Sequence, residues 1–254
     1  MTPELILRVK TGSSFTNIPL FTSAEFIVSR IDGLRSGQNE ISATTSPYKP
    51  GDNVQYLHIL PRDIEIEIKP HNFTDFNVLF DKFSQHLGED VRLLWNNRPT
   101  ASGTVNLYID GVMSICDMPV FDDDTRLSIT IHCENPFWSG NLESLTNVAS
   151  ATIKGTAPPA DVNIKLLSAT VPTVAGNRRL HFGNWIFVAP TTDLTGDIII
   201  IPPNTFKVDG VSHIECLKNG INVQTLGKVA VCELLSNQGT TTYNFNMSYR
   251  PQYY

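Results

Sequence analysis

The fold of this chain is decided by the stretch Arg62-Asp63-Ile64-Glu65-Ile66-Glu67-Ile68-Lys69, which runs through Pro70 into an amphipathic segment. Its three isoleucines alternate with charged residues. A period of two places Ile64, Ile66 and Ile68 on one face of a β-strand and the charged side chains on the other. The stretch therefore predicts a strand with one face on a hydrophobic core and one face in water.

The segment after this strand has the period of a helix. Apolar side chains recur there at three- and four-residue spacing, at Phe76, Leu79, Phe80, Phe83 and Leu87. Asn72 or Thr74 is suited to the N-cap, and Gly88 is suited to end the helix. We expect one helix from Thr74 to Leu87 that covers a sheet, and we expect the rest of the chain to be mainly β.

Length and composition indicate a folded protein of two domains. The chain has 254 residues, of which 41% are hydrophobic and 17% charged, and one domain commonly takes about 150 residues. The longest apolar run, Ile198–Ile201, is far shorter than the roughly 20 residues that span a bilayer. The first residues lack the pattern of a signal peptide. We therefore expect no membrane insertion and no secretion by a signal peptide.

Negative charge is concentrated in the first half of the chain. Residues 1–140 carry eleven basic and eighteen acidic side chains, a balance of −7, whereas the remainder carries eight and seven, a balance of +1. Affinity for nucleic acid comes largely from Lys and Arg that displace counterions. The charge argues against nucleic-acid binding and suits a surface that DNA passes without sticking.

The composition changes between Arg35 and Pro61, where small polar residues, proline and glycine dominate. A turn cluster at residues 47–51 separates two β-capable segments, 40–45 and 54–59. A long hairpin with so little apolar content cannot be held by its own core. Residues 35–61 are therefore either a surface loop or an arm that finds its partners outside its domain.

After the helix, the pattern predicts an antiparallel meander that ends the first domain. The expected strands are Val91–Trp95, Gly103–Ile109, Val112–Val120 and Thr125–Cys133, with turns at 96–99, 110–111 and 122–124. Asp110-Gly111 between apolar runs is a strong hairpin signal. The triple aspartate 122–124 lacks the spacing of an EF-hand and is interpreted as a solvated turn. Pro136 stops the last strand, which places a domain boundary near Gly140, with domains 1–140 and 141–254.

The second half has the spacing of an all-β domain. The expected strands are 162–167, 185–188, 196–201, 206–208, 216–217, 228–235 and 242–249. Short strands separated by Pro, Gly and Asn are typical of an antiparallel sandwich or jelly roll. Aromatic and polar residues alternate from Tyr243 to Arg250, so we expect the end of the chain to be an ordered strand.

The sequence contains none of the common catalytic motifs. It has no GxSxG elbow, HExxH helix, P-loop or glycine-rich dinucleotide turn. The four cysteines form no CxxC pair, and His213 with Cys216 alone is too sparse a ligand set for zinc. Glu65 and Glu67 have a spacing that glycosidases can use, yet alternating charge on an exposed strand face is the commoner explanation. We predict no catalytic site, no metal and no cofactor.

A carbohydrate-binding module is the alternative that the aromatic residues leave open. Trp185, Phe187 and Phe182 lie close together in the sequence of the second domain, and exposed aromatic faces can stack on sugar rings. Core packing explains the same residues. In the sugar-binding alternative, Trp185 is the candidate stacking residue for sugars of the host cell wall.

The order of these elements resembles that of the distal tail protein (Dit) family of long-tailed, non-contractile bacteriophages, over nearly the whole chain. The segments that carry the resemblance are 62–68, the helix 74–87, Leu107–Val112 and Ile129–Trp138 in the first half, and Gly155–Val162 and Leu194–Ile201 in the second. None of them is a catalytic motif. The resemblance depends on their order and spacing.

The resemblance implies a structural hub of the virion tail tip, assembled in the host cytoplasm. Members of that family form a hexameric ring that joins the tail tube above to a tail-tip, fibre or receptor-binding protein below. Their N-terminal domains surround a channel for DNA, and galectin-like C-terminal β-sandwiches lie outside. Residues 35–61 match the belt that clasps a neighbouring subunit, which implies an oligomer interface at Arg35, Glu40, Tyr48 and Tyr56. The family also suggests that the last strand or tail returns to the N-terminal domain.

Overall fold

A computed structural model describes most of the chain and divides it into two compact units. The described residues are 2–11, 14–34, 39–45, 52–72, 76–100, 103–118, 126–171, 179–182, 185–188, 194–201, 205–212, 229–236 and 239–254. Unit 1 comprises residues 1–138 together with Tyr254, and unit 2 comprises residues 139–253. A two-residue strand, β10 (Trp138–Ser139), spans the division.

Unit 1 is built from antiparallel strands and one helix. Its elements are β1 (Glu4–Thr11), β2 (Ser14–Pro19), β3 (Phe26–Asp32), β4 (Asn39–Thr45), β5 (Asp52–Ile59), β6 (Arg62–Pro70), α1 (Phe76–Ser84), β7 (Asp90–Thr100), β8 (Gly103–Asp117) and β9 (Leu127–Cys133). Seven strands follow one another in the order β2-β1-β7-β8-β9-β6-β3, whereas β4 and β5 form a separate hairpin.

The long strand β8 joins the two halves of the unit 1 sheet. Its first part, through Val112, pairs with β7, and its second part, from Val112 to Asp117, pairs with β9. One half is thus β2-β1-β7-β8 and the other is β8-β9-β6-β3. Leu7 in the first half and Ile66 in the second are both completely buried, so each half contributes one apolar face to the core.

Strand β6 confirms the alternation that the sequence predicts. Ile64, Ile66 and Ile68 are all 0% exposed, while Asp63 and Glu65 are exposed. The strand pairs with β3 on one side and with β9 on the other. Each fully buried isoleucine contributes roughly 1.5–3 kcal/mol through burial, which makes this strand a main source of stability for unit 1.

The predicted helix forms, but it is shorter than the sequence suggests. Helix α1 buries Phe76, Leu79 and Phe83, and the Phe83 ring lies edge-on to that of Phe26 at 5.9 Å between centroids. Leu87 is 51% exposed, because the helix ends at Ser84 and Leu87 lies in the following turn. That turn closes at Gly88, whose φ is +81°. The proposed N-cap Thr74 lies outside the described residues.

Two predicted turns are strand interior instead. Strand β7 continues through 96–99 by means of a bulge between Trp95 and Arg98. Asn97 takes a φ of +54° there, a conformation that asparagine tolerates better than most residues. Asp110 and Gly111 lie inside β8, where a Cβ on Gly111 would stand 2.6 Å from the carbonyl oxygen of His132. Gly111 allows β8 and β9 to lie close together, and it forms no turn.

Unit 2 is an all-β unit with two antiparallel sheets. Its strands are β11 (Glu143–Val148), β12 (Ser150–Thr152), β13 (Ala157–Val171), β14 (Arg179–Phe182), β15 (Trp185–Val188), β16 (Leu194–Ile201), β17 (Thr205–Val208), β18 (Val211–Ser212), β19 (Val229–Ser236), β20 (Gly239–Tyr243) and β21 (Phe245–Tyr253). One sheet has the order β18-β17-β16-β13-β21-β11. In the other, β12, β14 and β20 each pair with β19, and β15 pairs with β14.

The apolar face of the first of these sheets forms the described core of unit 2. The predicted alternation near the end of the chain is confirmed, because Phe245, Met247 and Tyr249 of β21 are buried. They share this core with Ile164 of β13 and Ile200 of β16, both 0% exposed. The predicted strand at 216–217 lies outside the described residues.

The fold class that the sequence predicts is confirmed. The protein is mainly β, with one helix in the described part of the chain and large antiparallel sheets consistent with β-sandwiches. Within the described residues, no helix has the length and apolar character needed to cross a membrane.

Candidate functional site

The arm, residues 35–61, contains an antiparallel hairpin whose register shifts once, between Ser42 and Ala43. Strands β4 and β5 pair with each other and, among the described residues, with no third strand. Glu40 lies opposite His58, and Tyr56 lies opposite Ser42. Arg35 and Tyr48, the other two predicted interface residues, lie outside the described part of the chain. The arm therefore lacks the sheet partners on both sides that stabilise β6.

The chain enters and leaves the arm at one tightly packed place. Gly33 has a φ of +81°, and a Cβ on it would stand 2.1 Å from the carbonyl oxygen of Asp63. The carbonyl oxygen of Leu34 accepts two hydrogen bonds, from Nη1 of Arg62 at 3.2 Å and from Nε1 of Trp138 at 2.9 Å. We call Gly33, Leu34, Arg62 and Trp138 the arm root, since these residues fix where the arm begins.

Arg62 has an unusual environment for a charged side chain. It is only 3% exposed, because it shares the inward face of β6 with the isoleucines. Burial lowers the pKa of its guanidinium; the Cys133 thiol opposes this shift and the charge of Arg98 adds to it. The arm root thus contains a buried cation whose electrostatic neighbours include a second arginine.

Cys133 supplies no negative charge to this cation. Burial raises the pKa of its thiol to about 12, against a smaller opposing effect of Arg62. Burial likewise raises the pKa of Cys116 to about 11. Both thiols stay protonated at neutral pH, which does not suit them to act as nucleophiles or as metal ligands. Cys216 and the side chain of Cys232 lie outside what the structure describes.

Both edges of the unit 1 sheet are open in the described chain. Strand β2 pairs only with β1, and β3 pairs only with β6, among the residues with a defined position. Phe15 on β2 is 66% exposed and Ile27 on β3 is 57% exposed. Unpaired edges with exposed apolar side chains are places where another chain can add.

A pocket of about 640 Å³ lies on the outer side of unit 1, lined by residues of β1, β2, β7, β8 and the end of β9. Arg92 in it holds Asp110 with Nε at 2.5 Å and Nη2 at 2.9 Å, and this hydrogen bond raises the pKa of Arg92. Nδ1 of His132 lies 2.7 Å from Asp63. The described lining contains no Ser, Thr or Cys side chain, so the histidine has no nucleophile to activate there.

The paired glutamates of β6 are occupied by structural contacts. Glu67 contacts Arg126 at 3.1 Å and Arg30 at 3.8 Å, while Glu65 is exposed on the same face. Their arrangement fits a charged outer strand face. No group of three or more His, Cys, Asp or Glu side chains in the described chain is placed to hold a metal ion.

The predicted sugar-stacking residue lies in a hairpin of unit 2. Trp185 begins β15 and lies opposite Phe182 of β14, and Phe187 lies opposite Leu180. The structure describes the backbone of these strands and not the surroundings of their side chains. Sugar stacking by Trp185 therefore stays a prediction, while His213 and the triple aspartate 122–124 lie outside the described residues.

Sequence reasoning did not single out Arg62 or Gly33. A signal for Arg62 was present, because it is in step with Ile64, Ile66 and Ile68 and so belongs to the inward face of the strand. Gly33 follows Asp32, which reads as an ordinary turn. Nothing local to that dipeptide shows that the carbonyl of Asp63 packs against it.

Comparison with solved structures gives matches of low identity over the whole chain. The crystal structure of the SPP1 Dit (gp 19.1) protein, described as a paradigm of the hub adsorption apparatus in Gram-positive infecting phages, matches with a TM-score of 0.51 and 13% identity, and covers 100% of both chains. Two structures of the phage P2 baseplate in its activated conformation, with Ca and with Sr, match with TM-scores of 0.43 and 0.44 and identities of 11% and 10%. They cover 99% and 98% of this chain and 98% of each of those chains.

No protein-family model and no curated protein matches the sequence. The structural likeness to SPP1 Dit nevertheless extends from one end of the chain to the other. It agrees with the mainly β architecture of the chain. This chain therefore has the fold of the phage distal tail protein Dit.

Proposed function

We propose that this protein is a structural component of a phage tail, a distal hub that forms a hexameric ring. In this proposal the ring joins the tail tube to the adsorption apparatus and encloses the channel through which DNA leaves. Its partners are other copies of the chain, the tail tube protein above, and a tail-tip, fibre or receptor-binding protein below. The protein resides at the tip of the virion tail after assembly in the host cytoplasm, and it is not an enzyme.

The observation that carries the proposal is the likeness to SPP1 Dit over 100% of both chains. A likeness confined to one unit would indicate a reused module. A likeness that includes both units in one chain favours the whole architecture of a hub. The identity of 13% limits this support to the fold, so the ring and its partners need direct tests.

The arm supports assembly with other copies. A two-stranded hairpin is at best marginally stable in water without further partners, and β4 and β5 have no third strand among the described residues. A contact in which the arm of one copy binds the body of the next is heterologous, and it closes into a ring when the rotation is right. The open edges at β2 and β3 offer further surface for such a contact.

The acidic balance supports passage of DNA without binding. Residues 1–140 carry a net charge of −7, and like charge keeps phosphates from adhering to a surface. We expect no binding of double-stranded DNA in a filter or gel assay at physiological salt. A channel mapped by microscopy and lined mainly by Lys and Arg would contradict this part of the proposal.

The first test is the state of assembly of the full chain. We expect light scattering on a size-exclusion column, at increasing protein concentration, to detect a sixfold species, and negative-stain images to show rings or stacked pairs of rings. Replacement of residues 35–61 by a short Gly-Ser linker should leave a folded chain that makes no rings, because the arm contacts are lost.

The fold of the shortened chain is checked by circular dichroism and by its melting temperature. Normal assembly without the arm would show that the belt role is wrong. A wild-type chain that remains a monomer at high concentration, yet binds sugars on a glycan array in a way that Trp185→Ala abolishes, would favour the carbohydrate-binding alternative.

A further inference from the structure

Arg62 is the only Lys or Arg among the buried side chains of the described chain. Its neighbours along the inward face of β6 are isoleucines that are 0% exposed. Placing a guanidinium in such surroundings is unfavourable unless hydrogen bonds and an opposite charge compensate for the lost hydration. The contacts of this side chain therefore decide whether it is satisfied within a single copy.

One of the three guanidinium nitrogens of Arg62 is used. Nη1 donates to the carbonyl oxygen of Leu34 at 3.2 Å. Nε and Nη2 are buried and have no hydrogen-bond partner among the described residues. These two nitrogens form the edge that binds a carboxylate through two parallel hydrogen bonds. Arg92 in the same unit uses the same two atoms to hold both oxygens of Asp110, at 2.5 and 2.9 Å.

The charge of Arg62 is also uncompensated in the described chain. Among the residues that the structure describes, the groups whose charges act on it are Cys133 and Arg98. Cys133 is a neutral thiol at physiological pH because burial raises its pKa to about 12. Arg98 has the same sign as Arg62. A buried water can accept hydrogen bonds from Nε and Nη2, but it brings no negative charge, whereas a carboxylate satisfies both requirements.

We propose that Arg62 is one half of a buried ion pair that forms on assembly, and that its other half is a carboxylate from the arm of a neighbouring copy. The arm has two carboxylates, Glu40 and Asp52. Asp52 begins β5, and the strand from there to Ile59 is about 23 Å long. Asp52 is therefore a candidate for the Arg62 of another copy and not for that of its own chain. This inference rests on the proposed ring.

The position of Arg62 couples this ion pair to the start of the arm. Nε and Nη2 are covered in the single chain, and the carbonyl of Leu34 that Arg62 holds is the last described group before the arm. A carboxylate can reach the guanidinium only when the arm root rearranges. Binding of one arm is thereby linked to the conformation of the root of the next arm, which would make ring closure cooperative.

The test compares Arg62→Met, which keeps an unbranched apolar stem and removes the guanidinium and its charge, with the wild-type chain. Arg8→Met is the matched control, because Arg8 is a half-exposed arginine on β1 whose Nε donates to Asn17 at 2.9 Å. Melting temperatures are measured on dilute protein, and assembly is measured by light scattering across concentrations. Glu40→Gln and Asp52→Asn, alone and combined with Arg62→Met, identify the carboxylate.

We expect Arg62→Met to melt at or above the wild-type temperature as a dilute chain, because an unpaired buried charge is removed. The same change should raise the midpoint concentration for assembly by on the order of tenfold or more, while Arg8→Met leaves it unchanged. The change in the partner carboxylate should have the same effect and should add nothing to Arg62→Met. That non-additivity identifies the pair.

Three results would overturn the inference. Rings formed equally well by Arg62→Met and the wild type would show that no partner uses this guanidinium. A dilute Arg62→Met chain that melts several degrees lower would show that Arg62 already stabilises the single copy. Additivity of Arg62→Met with both arm variants would exclude an arm carboxylate as its partner.

A titration of dilute wild-type protein with sodium acetate, at constant ionic strength, decides the source of the carboxylate independently of rings. Stabilisation by acetate that Arg62→Met abolishes, without any effect of the arm variants on assembly, would assign the site to a free acid and would exclude the neighbouring arm. A wild-type chain that forms no rings would contradict the proposed function. In that case a lack of stabilisation by acetate would also remove the carboxylate site.

Discussion

Strand β6 and the arm are consecutive in the chain, yet different contacts hold them. Strand β6 pairs with β3 and β9 and buries Ile64, Ile66 and Ile68 completely. Strands β4 and β5 of the arm pair only with each other within the described residues. The buried apolar contacts of unit 1 are therefore concentrated in the strands around β6, whereas the described strands of the arm pair with none of them.

The boundary between strand β6 and the arm lies at the arm root. There the backbone of Gly33 approaches that of Asp63 too closely for any other residue, and Trp138 and Arg62 both bind the carbonyl of Leu34. These contacts fix the point at which the hairpin begins on unit 1. Substitutions on the two sides of this root should accordingly affect different measurements.

The largest effect is expected for Ile66→Ala. Ile66 is 0% exposed in the centre of β6, and the shortened side chain leaves a cavity in the core under the inward face of the sheet. We expect a loss of about 3–5 kcal/mol in the free energy of unfolding, measured by urea denaturation. Glu65→Ala, on the exposed face of the same strand, is the control and should change it by less than about 0.5 kcal/mol.

A smaller but still large effect is expected for Gly33→Ala at the arm root. The new Cβ would stand 2.1 Å from the carbonyl oxygen of Asp63 at a φ of +81°. We expect a loss of about 2–3 kcal/mol from the forced backbone shift. The loss at Gly33 can come from the contact with Asp63 or from the positive φ. Gly88→Ala measures the effect of φ alone, because Gly88 has the same φ and nothing within 4 Å of the added atom.

Equal losses for Gly33→Ala and Gly88→Ala would show that the conformation alone matters. In that case the close packing of the root would be unimportant. A loss at Gly33 well above that at Gly88 would support a root that is fixed by backbone contact.

The same division explains which parts of the structure could be predicted from the sequence. Strand β6 and helix α1 were predictable because their periodicity is local and one face of each is buried along its length. Asn97 and Gly111 misled the prediction because the residues that favour turns also serve bulges and close strand contacts. Only the neighbouring strands decide between these uses, and those neighbours are distant in sequence.

The arm root was less predictable for a similar reason. Arg62 lies in the inward register of β6, yet its contacts come from Leu34, Cys133 and Arg98, which belong to three other parts of the chain. The composition of residues 35–61 predicts a segment without its own core. It does not reveal where that segment is anchored.

A further test of the body concerns alkaline pH. Burial disfavours the thiolate of Cys133 and raises its pKa in the folded chain to about 12, from an ordinary value of 9.0. Above about pH 9 the unfolded chain loses this proton while the folded chain keeps it, so stability falls as the pH rises toward 12. Urea denaturation from about pH 8 to 11 should show this slope in the wild type.

Cys133→Val removes the titrating group and should flatten the slope over the same range, whatever it does to stability at neutral pH. Cys116→Val should have a smaller effect on the slope, since the pKa of Cys116 is raised only to about 11. An unchanged slope in Cys133→Val would show that another group controls the alkaline loss.

The smallest effect on stability is expected in the arm itself. Tyr56 lies in β5 opposite Ser42, in a hairpin that shares no strand pair with the described sheets of unit 1. We expect Tyr56→Ala to change the free energy of unfolding of the dilute chain by less than about 0.5 kcal/mol. If the arm binds a neighbouring copy, the same change should raise the concentration needed for ring formation, because aromatic side chains commonly anchor interfaces. Light scattering on Tyr56→Ala and on Glu65→Ala, the exposed control in β6, shows whether Tyr56 takes part in ring formation or not. A loss of several kcal/mol in the dilute Tyr56→Ala chain would place the arm within the stable body and would remove the contrast with β6.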